Sequence, residues 1–403
     1  MNVLMIGFDQ TTLATARGKP GDTRERHIRY AEALRKYHPS GQIRVLLRVP
    51  GSWSSRAVEL GEGITVHPVP CQRWAFATTA MRAIRPVVTG KHFDLVTTQT
   101  PFDDGLLGVW LKHSFGIPLN VQMRSSFLDL PFWIQERPFA YRIFNLLGKW
   151  VAQRADTIRT VSEGEKHRLL KRFPVLHERI FTLHPLVNFK LFSEPLTEEE
   201  RSQAQSRLQQ YGLIGKPFVL FVGRFVTQKN LATLFQAFAV IRQQIPETAL
   251  VMAGDGPLRS DLERLTRRLD LSRTVVWLGN LSLNALRGWY ALAKATVLPS
   301  LHEGFGKVIM ESYLVGTPVV VTPFVSAAEL VQDGKTGFVT QSFNDCHELA
   351  NKLRILLSSP ALSAEMGRNG KLYAQRYLLN EEVYLKRLIE IWKQTASRRT
   401  TNY

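Results

Sequence analysis

Two carboxylates, Glu303 and Glu311, bracket the stretch Gly304-Phe305-Gly306-Lys307, and an apolar run from Ala295 to Leu298 leads into it. That order predicts a buried strand, a glycine-containing turn and the opening of a helix, which together present free backbone N–H groups to an anion. Glycine lets the main chain approach a ligand more closely than a Cβ would, so the loop suits a diphosphate or a sugar packed against backbone. Glu311 falls inside the helix, about a turn and a half from its start. Its carboxylate can accept from two vicinal hydroxyls, such as those of a ribose, while Glu303 stands at the loop to meet a hexose. Neither group has to titrate for this. The competing reading is that two glutamates near a helix start only complement its macrodipole.

A second cluster shifts the balance toward a ligand. The hydrophobic run Phe218 to Val222 ends in Gly223-Arg224, and Lys229 follows at the start of the next helical pattern. Two cations beside a strand-ending turn suit a departing diphosphate. Each taken alone has a structural alternative, Arg224 as the partner of a carboxylate and Lys229 as a solvated helix-start residue.

These residues need a scaffold, and the chain supplies its pattern. Apolar runs alternate with amphipathic segments throughout, as in parallel sheets covered by helices on both faces. Strands are predicted at Val3 to Ile6, Ile43 to Val49, Leu95 to Thr98, Leu119 to Met123, Thr157 to Val161 and Ile180 to Leu183. Helices are predicted near Asp22 to Tyr37, Phe139 to Arg154 and Glu163 to Lys171. After the polar segment Ser193 to Gln210 the alternation restarts at Phe218, with strands at Leu250 to Ala253, Val275 to Leu278 and Val319 to Thr322. The chain of 403 residues exceeds one hydrophobic core, so two domains are expected, divided near residue 191, with a hinge over 188 to 193. In doubly wound sheets ligands bind at the carboxyl ends of the strands, which is where Gly223, Gly254 and Ser300 fall.

With these markers in view, the chain resembles a family 4 glycosyltransferase, most densely from Phe218 to Val339. The resemblance rests on Glu303 and Glu311 as a Glu-x7-Glu pair, Gly223-Arg224 with Lys229, Ala253-Gly254-Asp255-Gly256-Pro257, Leu278-Gly279 and Gly316-Thr317-Pro318. It implies the α/β GT-B fold: two doubly wound Rossmann-like domains facing a cleft, residues 1–190 on the acceptor side and 191–379 on the donor side. A last helix, about Glu381 to Lys393, would cross back to the first domain. It also implies that Arg224 and Lys229 hold the donor diphosphate, that Glu303 and the backbone of Gly304 to Gly306 contact the donor sugar, and that Glu311 binds the ribose. Gly254, Asp255, Gly256 and Lys307 would complete the donor site.

The first half resembles the family more loosely, through Thr98 to Gly105 and Pro118 to Gln122. Relatives commonly follow the second stretch with His and, two residues on, Asp; here Arg124 and Ser126 stand instead. Arg124 cannot serve as a neutral base, but it can place a fixed positive charge near the donor. Equally, it can pair with Asp129 or Asp104. Relatives keep a glycine loop near the start, and of Gly18 and Gly21 only Gly21 carries over to it. His27 reads as a packing or surface residue. Arg73, Trp74, Phe76, Met81, Arg82 and Arg85 mix aromatic and basic side chains as an interfacial helix would, or as a helix packed on the core with a basic edge.

The net charge of +18 is uneven, with 27 Lys and Arg against 15 Asp and Glu in residues 1–190 and 25 against 19 in the rest. Such a field draws polyanions, and no nucleic-acid motif accompanies it, so nucleic acid is not an expected partner. Cys71 and Cys346 lie in different halves without companions at metal-ligand spacing, so neither disulfide nor zinc is suggested. No apolar run reaches the roughly 20 residues that span a bilayer, and Met1 to Gly7 reads as a strand, so a cytoplasmic protein is expected, peripheral on an anionic membrane surface if on any.

The reaction so implied is transfer of a sugar from a nucleotide diphosphate donor to the hydroxyl of a glycan or lipid-linked acceptor, with retained anomeric configuration, in envelope or exported polysaccharide synthesis. No metal or other cofactor is called for. A retaining phosphorylase would share the fold plan but carry pyridoxal phosphate on a lysine, and nothing singles out such a lysine. A GT-B protein that has lost catalysis and binds polyanions or membranes is the rival from another class.

Overall fold

The computed structural model describes residues 1–13, 22–72 and 75–398. Gly18, Gly21, Arg73 and Trp74 lie outside the described residues. The chain forms two compact units, one of Met1–Val161, Glu165–His184 and the chain from Leu379, the other of Ser162–Gly164 and Pro185–Leu378.

The first unit holds an eight-stranded sheet: β1 (Asn2–Gly7), β2 (Gln42–Val49), β3 (Val58–Gly61), β4 (Ile64–Pro70), β5 (Leu95–Thr98), β6 (Leu119–Met123), β7 (Thr157–Thr160) and β8 (Ile180–Thr182). Their order is β3-β4-β2-β1-β5-β6-β7-β8, all parallel except the β3–β4 pair. Strands β3 and β4 are absent from the sequence reading. Pro68 and Pro70 inside β4 mask it, because proline in a run argues against a strand.

The two faces of this sheet are chemically unlike. Leu4, Ile6, Val96, Leu119, Val121 and Ile158 belong to the apolar core on one face. Strand register places Thr97, Asn120, Gln122, Thr157 and Arg159 together on the other. There Thr97 Oγ1 donates to Asn120 Oδ1 (2.9 Å), Asn120 Nδ2 to Thr157 Oγ1 (2.8 Å), and Thr157 Oγ1 meets Thr395 Oγ1 at 2.7 Å. Thr395 lies on the last helix, Glu381–Ala396, which packs over β5, β6 and β7 and beside helix Asp22–Tyr37. Trp392 is fully buried and meets the Tyr30 ring edge-on at 6.1 Å. The C-terminal helix is thus part of the first unit, anchored by hydrogen bonds that a buried polar face requires.

The second unit carries a six-stranded, all-parallel sheet: β9 (Phe218–Val222), β10 (Ala249–Ala253), β11 (Val275–Gly279), β12 (Ala295–Leu298), β13 (Val319–Val321) and β14 (Gly337–Val339). The order β11-β10-β9-β12-β13-β14 reverses direction between β9 and β12. Strands buried on both faces read as unbroken apolar runs, and β9, β10 and β12 are buried at every residue. Helix Leu231–Gln244 lays Leu231, Leu234, Phe235, Phe238 and Ile241 on this core.

Among the described residues no helix is long and apolar enough to cross a membrane.

Candidate functional site

The carboxyl ends of β9, β10 and β12, on either side of the switch point, bring the second unit's chemistry-bearing residues together. After β9 the chain turns at Gly223, whose N–H donates to Ala253 O at 3.0 Å. After β10 it turns at Gly254 (φ +136°), where a Cβ would stand 2.0 Å from Gly223 O. At Gly256 a Cβ would meet Phe225 O at 2.5 Å. These glycines are therefore needed for the two strand tips to pack backbone to backbone, a tighter constraint than approach of a ligand. Asp255 is exposed and its Oδ1 accepts from Gly256 N–H at 2.8 Å, which locks the turn.

The loop after β9 is tied to the loop after β12 at three points. Leu301 N–H donates to Gln228 O (2.8 Å), Gln228 Nε2 donates to His302 O (2.7 Å), and Lys229 Nζ forms an ion pair with Glu303 Oε1. The same Glu303 oxygen accepts from Ser300 Oγ at 2.6 Å. The Lys229 and Glu303 side chains are only 15% and 11% exposed, so the pair sits largely out of water, where breaking it is costly. Lys229 is thus no solvated helix-start residue; it closes a 3-10 turn, Thr227–Lys229, ahead of the helix. Arg224 is its opposite, exposed and without an ion pair among the described residues.

Beyond Glu303, Gly304 and Phe305 are buried, and Phe305 O accepts from Ser326 Oγ at 3.2 Å. Gly306, at φ +92°, opens helix Lys307–Leu314 with no side-chain cap, a left-handed conformation glycine adopts without strain. Lys307 at the helix start is exposed and has no ion pair among the described residues. One turn on, Glu311 Oε2 accepts from Tyr290 OH at 2.8 Å. Burial raises the Glu311 pKa, with the Tyr290 bond and the Lys307 charge pulling it back. Burial and the neighbouring carboxylate drive Tyr290 well above its usual value. Glu311 Oε1 has no hydrogen bond to the described residues, so one oxygen is held while the other remains available.

Sequence reasoning placed Ser300 at a ligand-binding strand end without its bond to Glu303, and missed Tyr290, Gln228 and His302. Tyr290 comes from helix Leu283–Leu292, and no local spacing links it to Glu311. His302 is buried beside the ion pair; desolvation lowers its pKa to about 4, with Glu303 opposing and Lys229 adding to the shift.

In the first unit the expected residues find different surroundings. Arg124 pairs with neither Asp129 nor Asp104. Asp129 is taken by Lys149 and Arg172. Asp104 is buried, accepts from Gln99 N–H and Thr100 N–H at 2.8 Å each, and closes the start of helix Asp103–Phe115. Arg124 Nη1 instead donates to Gln99 Oε1 at 3.3 Å, a long contact. By surface area Arg124 is exposed, although desolvation by dense surroundings, then Arg26 and Arg159, pull its pKa down. Solvent at its surface and an intrinsically high pKa keep it charged. Ser126 is buried and donates to Glu165 Oε2 at 2.6 Å, a carboxylate also held by Arg168 at 2.7 Å. His27 is buried and held neutral, its pKa lowered to about 3 by burial and by Arg26 and Arg124. In segment 73–85, Phe76, Ala80 and Ile84 face the core while Arg82 and Arg85 are exposed, so the described part is a core-packed helix with a basic edge.

The comparisons agree with this architecture. Residues 28–185 match the family model of a glycosyl transferase 4-like domain and residues 205–373 that of glycosyl transferases group 1. The alpha-D-kanosaminyltransferase of Streptomyces kanamyceticus is 29% identical over 277 residues, which is 67% of this chain and 69% of that protein. Among solved structures, sucrose-phosphate synthase from Thermosynechococcus elongatus superposes with a TM-score of 0.78 at 21% identity, covering 98% of this chain and 99% of that one. Anabaena HepE in complex with UDP and glucose gives 0.70 at 20%, covering 96% and 98%. The two matched domains follow one another along most of the chain, and the chain is a glycosyltransferase of GT-B architecture.

Proposed function

We propose that the second unit binds a nucleoside-diphosphate sugar at the tips of β9, β10 and β12, and that the chain transfers its sugar to an acceptor hydroxyl with retained configuration. The observation that carries this reading is the Lys229–Glu303–Ser300 cluster at the switch point, flanked by the exposed Arg224 and Lys307 and followed one helix turn on by Glu311. A fixed cation pair suits a diphosphate, and a carboxylate with one free oxygen suits a ribose hydroxyl. HepE, similar in fold, is solved with UDP and glucose, which supports a nucleotide sugar as ligand.

In this reaction the bond from the anomeric carbon to the diphosphate oxygen breaks as the acceptor oxygen bonds to that carbon from the same face. The acceptor proton passes to the departing phosphate oxygen. Because the leaving group takes the proton, no protein nucleophile is needed. Arg224 and Lys229 stabilise the developing negative charge, each such donor being worth roughly 3 kcal/mol where it is lost. Lys229 does so from its place in the ion pair with Glu303, as an ammonium that has three donors and spends one on the carboxylate. Arg124 supplies a further fixed charge. This scheme calls on no metal, and we expect a chelator to leave turnover unchanged.

The acceptor belongs to glycan or lipid-linked chemistry, in envelope or exported polysaccharide assembly. The experiment that tests the reading is a thermal-shift screen of UDP-, GDP- and ADP-sugars, because a ligand that binds only the folded state raises its stability. Stabilisation by one nucleotide sugar, lost in Glu311→Ala, supports it. Absence of any shift across the panel sinks it.

A further inference from the structure

Helix Pro138–Arg154 of the first unit leaves an apolar stripe uncovered. Phe139, Ile143, Leu146 and Trp150 are 82%, 51%, 67% and 38% exposed, and their spacing of four, three and four places them along one narrow face. The opposite face is spent on the core: Asn145, Gly148, Val151 and Ala152 are buried, and Gly148 abuts Leu128 and Phe102. The stripe is therefore not a core face left over by chance of register. It is a second apolar face on a helix that has already packed its first, and a continuous exposed apolar surface of this kind marks a docking site.

What flanks the stripe identifies the occupant. The helix contains no Asp or Glu. By helical geometry Arg142 borders the stripe on one side, next to a Lys149 already paired with Asp129, and Arg154 borders it on the other, with exposed Glu136 and Arg137 just before the helix. Arg154 lies over the Trp150 ring at 4.1 Å, so a cation covers one face of a partly exposed indole. A row of aromatic and aliphatic side chains edged by cations is the composition of a helix lying in the interface of an anionic bilayer. A second copy of the same face would instead bring like charges together.

From these observations we infer that helix Pro138–Arg154 docks the protein on an anionic lipid surface, with Phe139, Ile143, Leu146 and Trp150 entering the headgroup boundary and Arg142 and Arg154 meeting lipid phosphates. The segment that sequence left open between an interfacial helix and a core-packed one, described as helix Phe76–Gly90, buries its apolar face, whereas helix Pro138–Arg154 keeps an apolar face outward. This inference is independent of the donor assignment, since it is read by lipid binding without turnover.

The test is co-flotation of the full chain with vesicles of phosphatidylcholine alone and of phosphatidylcholine with phosphatidylglycerol. The wild type binds the phosphatidylglycerol vesicles, and added salt weakens the binding. The double variant Phe139→Ser, Leu146→Ser lowers the partition by roughly tenfold or more, and Arg142→Glu lowers it and flattens the salt dependence. A blue shift of tryptophan emission on binding disappears in Trp150→Phe. Unchanged circular dichroism and an unchanged nucleotide-sugar thermal shift in each variant show that the fold is intact. Equal binding to both vesicle types, or binding that survives the double variant, overturns the inference. So does a dimer in vesicle-free solution that the double variant dissociates, since the stripe would then be covered by a second copy.

Discussion

The two sheets solve the same packing problem with opposite chemistry, and the contrast explains why one unit holds a site written in local motifs and the other does not. The second unit buries apolar residues on both faces of its sheet and keeps polar groups at the strand tips, where Gly223, Arg224, Lys229, Glu303 and Glu311 gather. The first unit buries polar groups within the sheet itself. Arg159 is 5% exposed, its Nη2 donating to Tyr384 OH at 3.0 Å, which in turn meets Tyr30 OH at 3.0 Å. Polar groups placed mid-strand must be satisfied from the covering helices, so they bind the C-terminal helix to the sheet. Polar groups placed at tips need only their loop neighbours and remain able to meet a ligand.

Removal of Lys229 gives the largest expected effect. Lys229→Ala strips a cation from the proposed diphosphate site and leaves the nearly buried Glu303 without its ion-pair partner. We expect kcat/KM to fall roughly a hundredfold or more and stability to fall by about 2–3 kcal/mol. Adding Glu303→Gln removes the stranded charge, so the double variant regains stability in urea titration while activity stays low. Activity returning together with stability would mean that the pair is structural and the contrast between tips and sheet is wrong.

Next come the two arginines, one from each side of the comparison. Arg224→Ala removes an exposed side chain that has no ion pair among the described residues, so stability changes by no more than about 0.5 kcal/mol. Its kcat falls by roughly fiftyfold with KM little changed, as for a charge used only when the leaving group departs. Arg124→Ala, if its charge reaches the reacting sugar, lowers kcat by roughly tenfold. Steady-state kinetics separate the cases: a loss at Arg224 alone would confine catalysis to the second unit, and a loss at both would show that the first unit contributes charge.

The same contrast governs what sequence could reveal. Glu303, Gly306 and Glu311 share one strand, turn and helix, and Arg224 and Lys229 share another, so their relation survives in linear spacing. Of the parallel strands, β9, β10 and β12 were legible because they are unbroken apolar runs, whereas the proline-bearing β4 and the three-residue β14 were not. Arg159, Tyr30 and Tyr384 lie on β7, helix Asp22–Tyr37 and the last helix, and only the folded register brings them together. Tyr290 escaped for the same reason, being joined to Glu311 through the packing of two helices. The Lys229–Glu303 pair was the instructive miss: each residue was singled out, but spacing along the chain says nothing of a contact across neighbouring strand tips. The exposed stripe on helix Pro138–Arg154 was likewise hidden, since an apolar residue count cannot tell which of two faces meets the core.

Glu311 sharpens the donor site at smaller cost. Tyr290 already holds one carboxylate oxygen, so Glu311→Ala removes a hydroxyl acceptor that serves ground state and transition state alike. Donor KM should rise roughly tenfold with kcat within about twofold. Tyr290→Phe tests the positioning: it frees Glu311 to rotate and should raise KM by a smaller factor, about threefold. A Glu311→Ala enzyme with unchanged KM would remove the ribose from this carboxylate.

The smallest effect compares one buried histidine from each unit. His302 is held near a pKa of about 4 and His27 near about 3, against 6.5 for the free side chain, each chiefly by burial. Both are neutral in the folded chain, so between pH 6.5 and those values the unfolded chain takes up protons that the folded one refuses. Stability from these sites is therefore complete above the unfolded pKa and declines as pH falls below it. One pH unit below that point costs about 1.4 kcal/mol for each histidine at most. His302→Gln should flatten the acid loss of hydrogen-exchange protection in peptides of the second unit, and His27→Gln that of the first. If either substitution flattens the loss in both units equally, the units do not unfold separately, and the chemical contrast between their sheets has no thermodynamic counterpart.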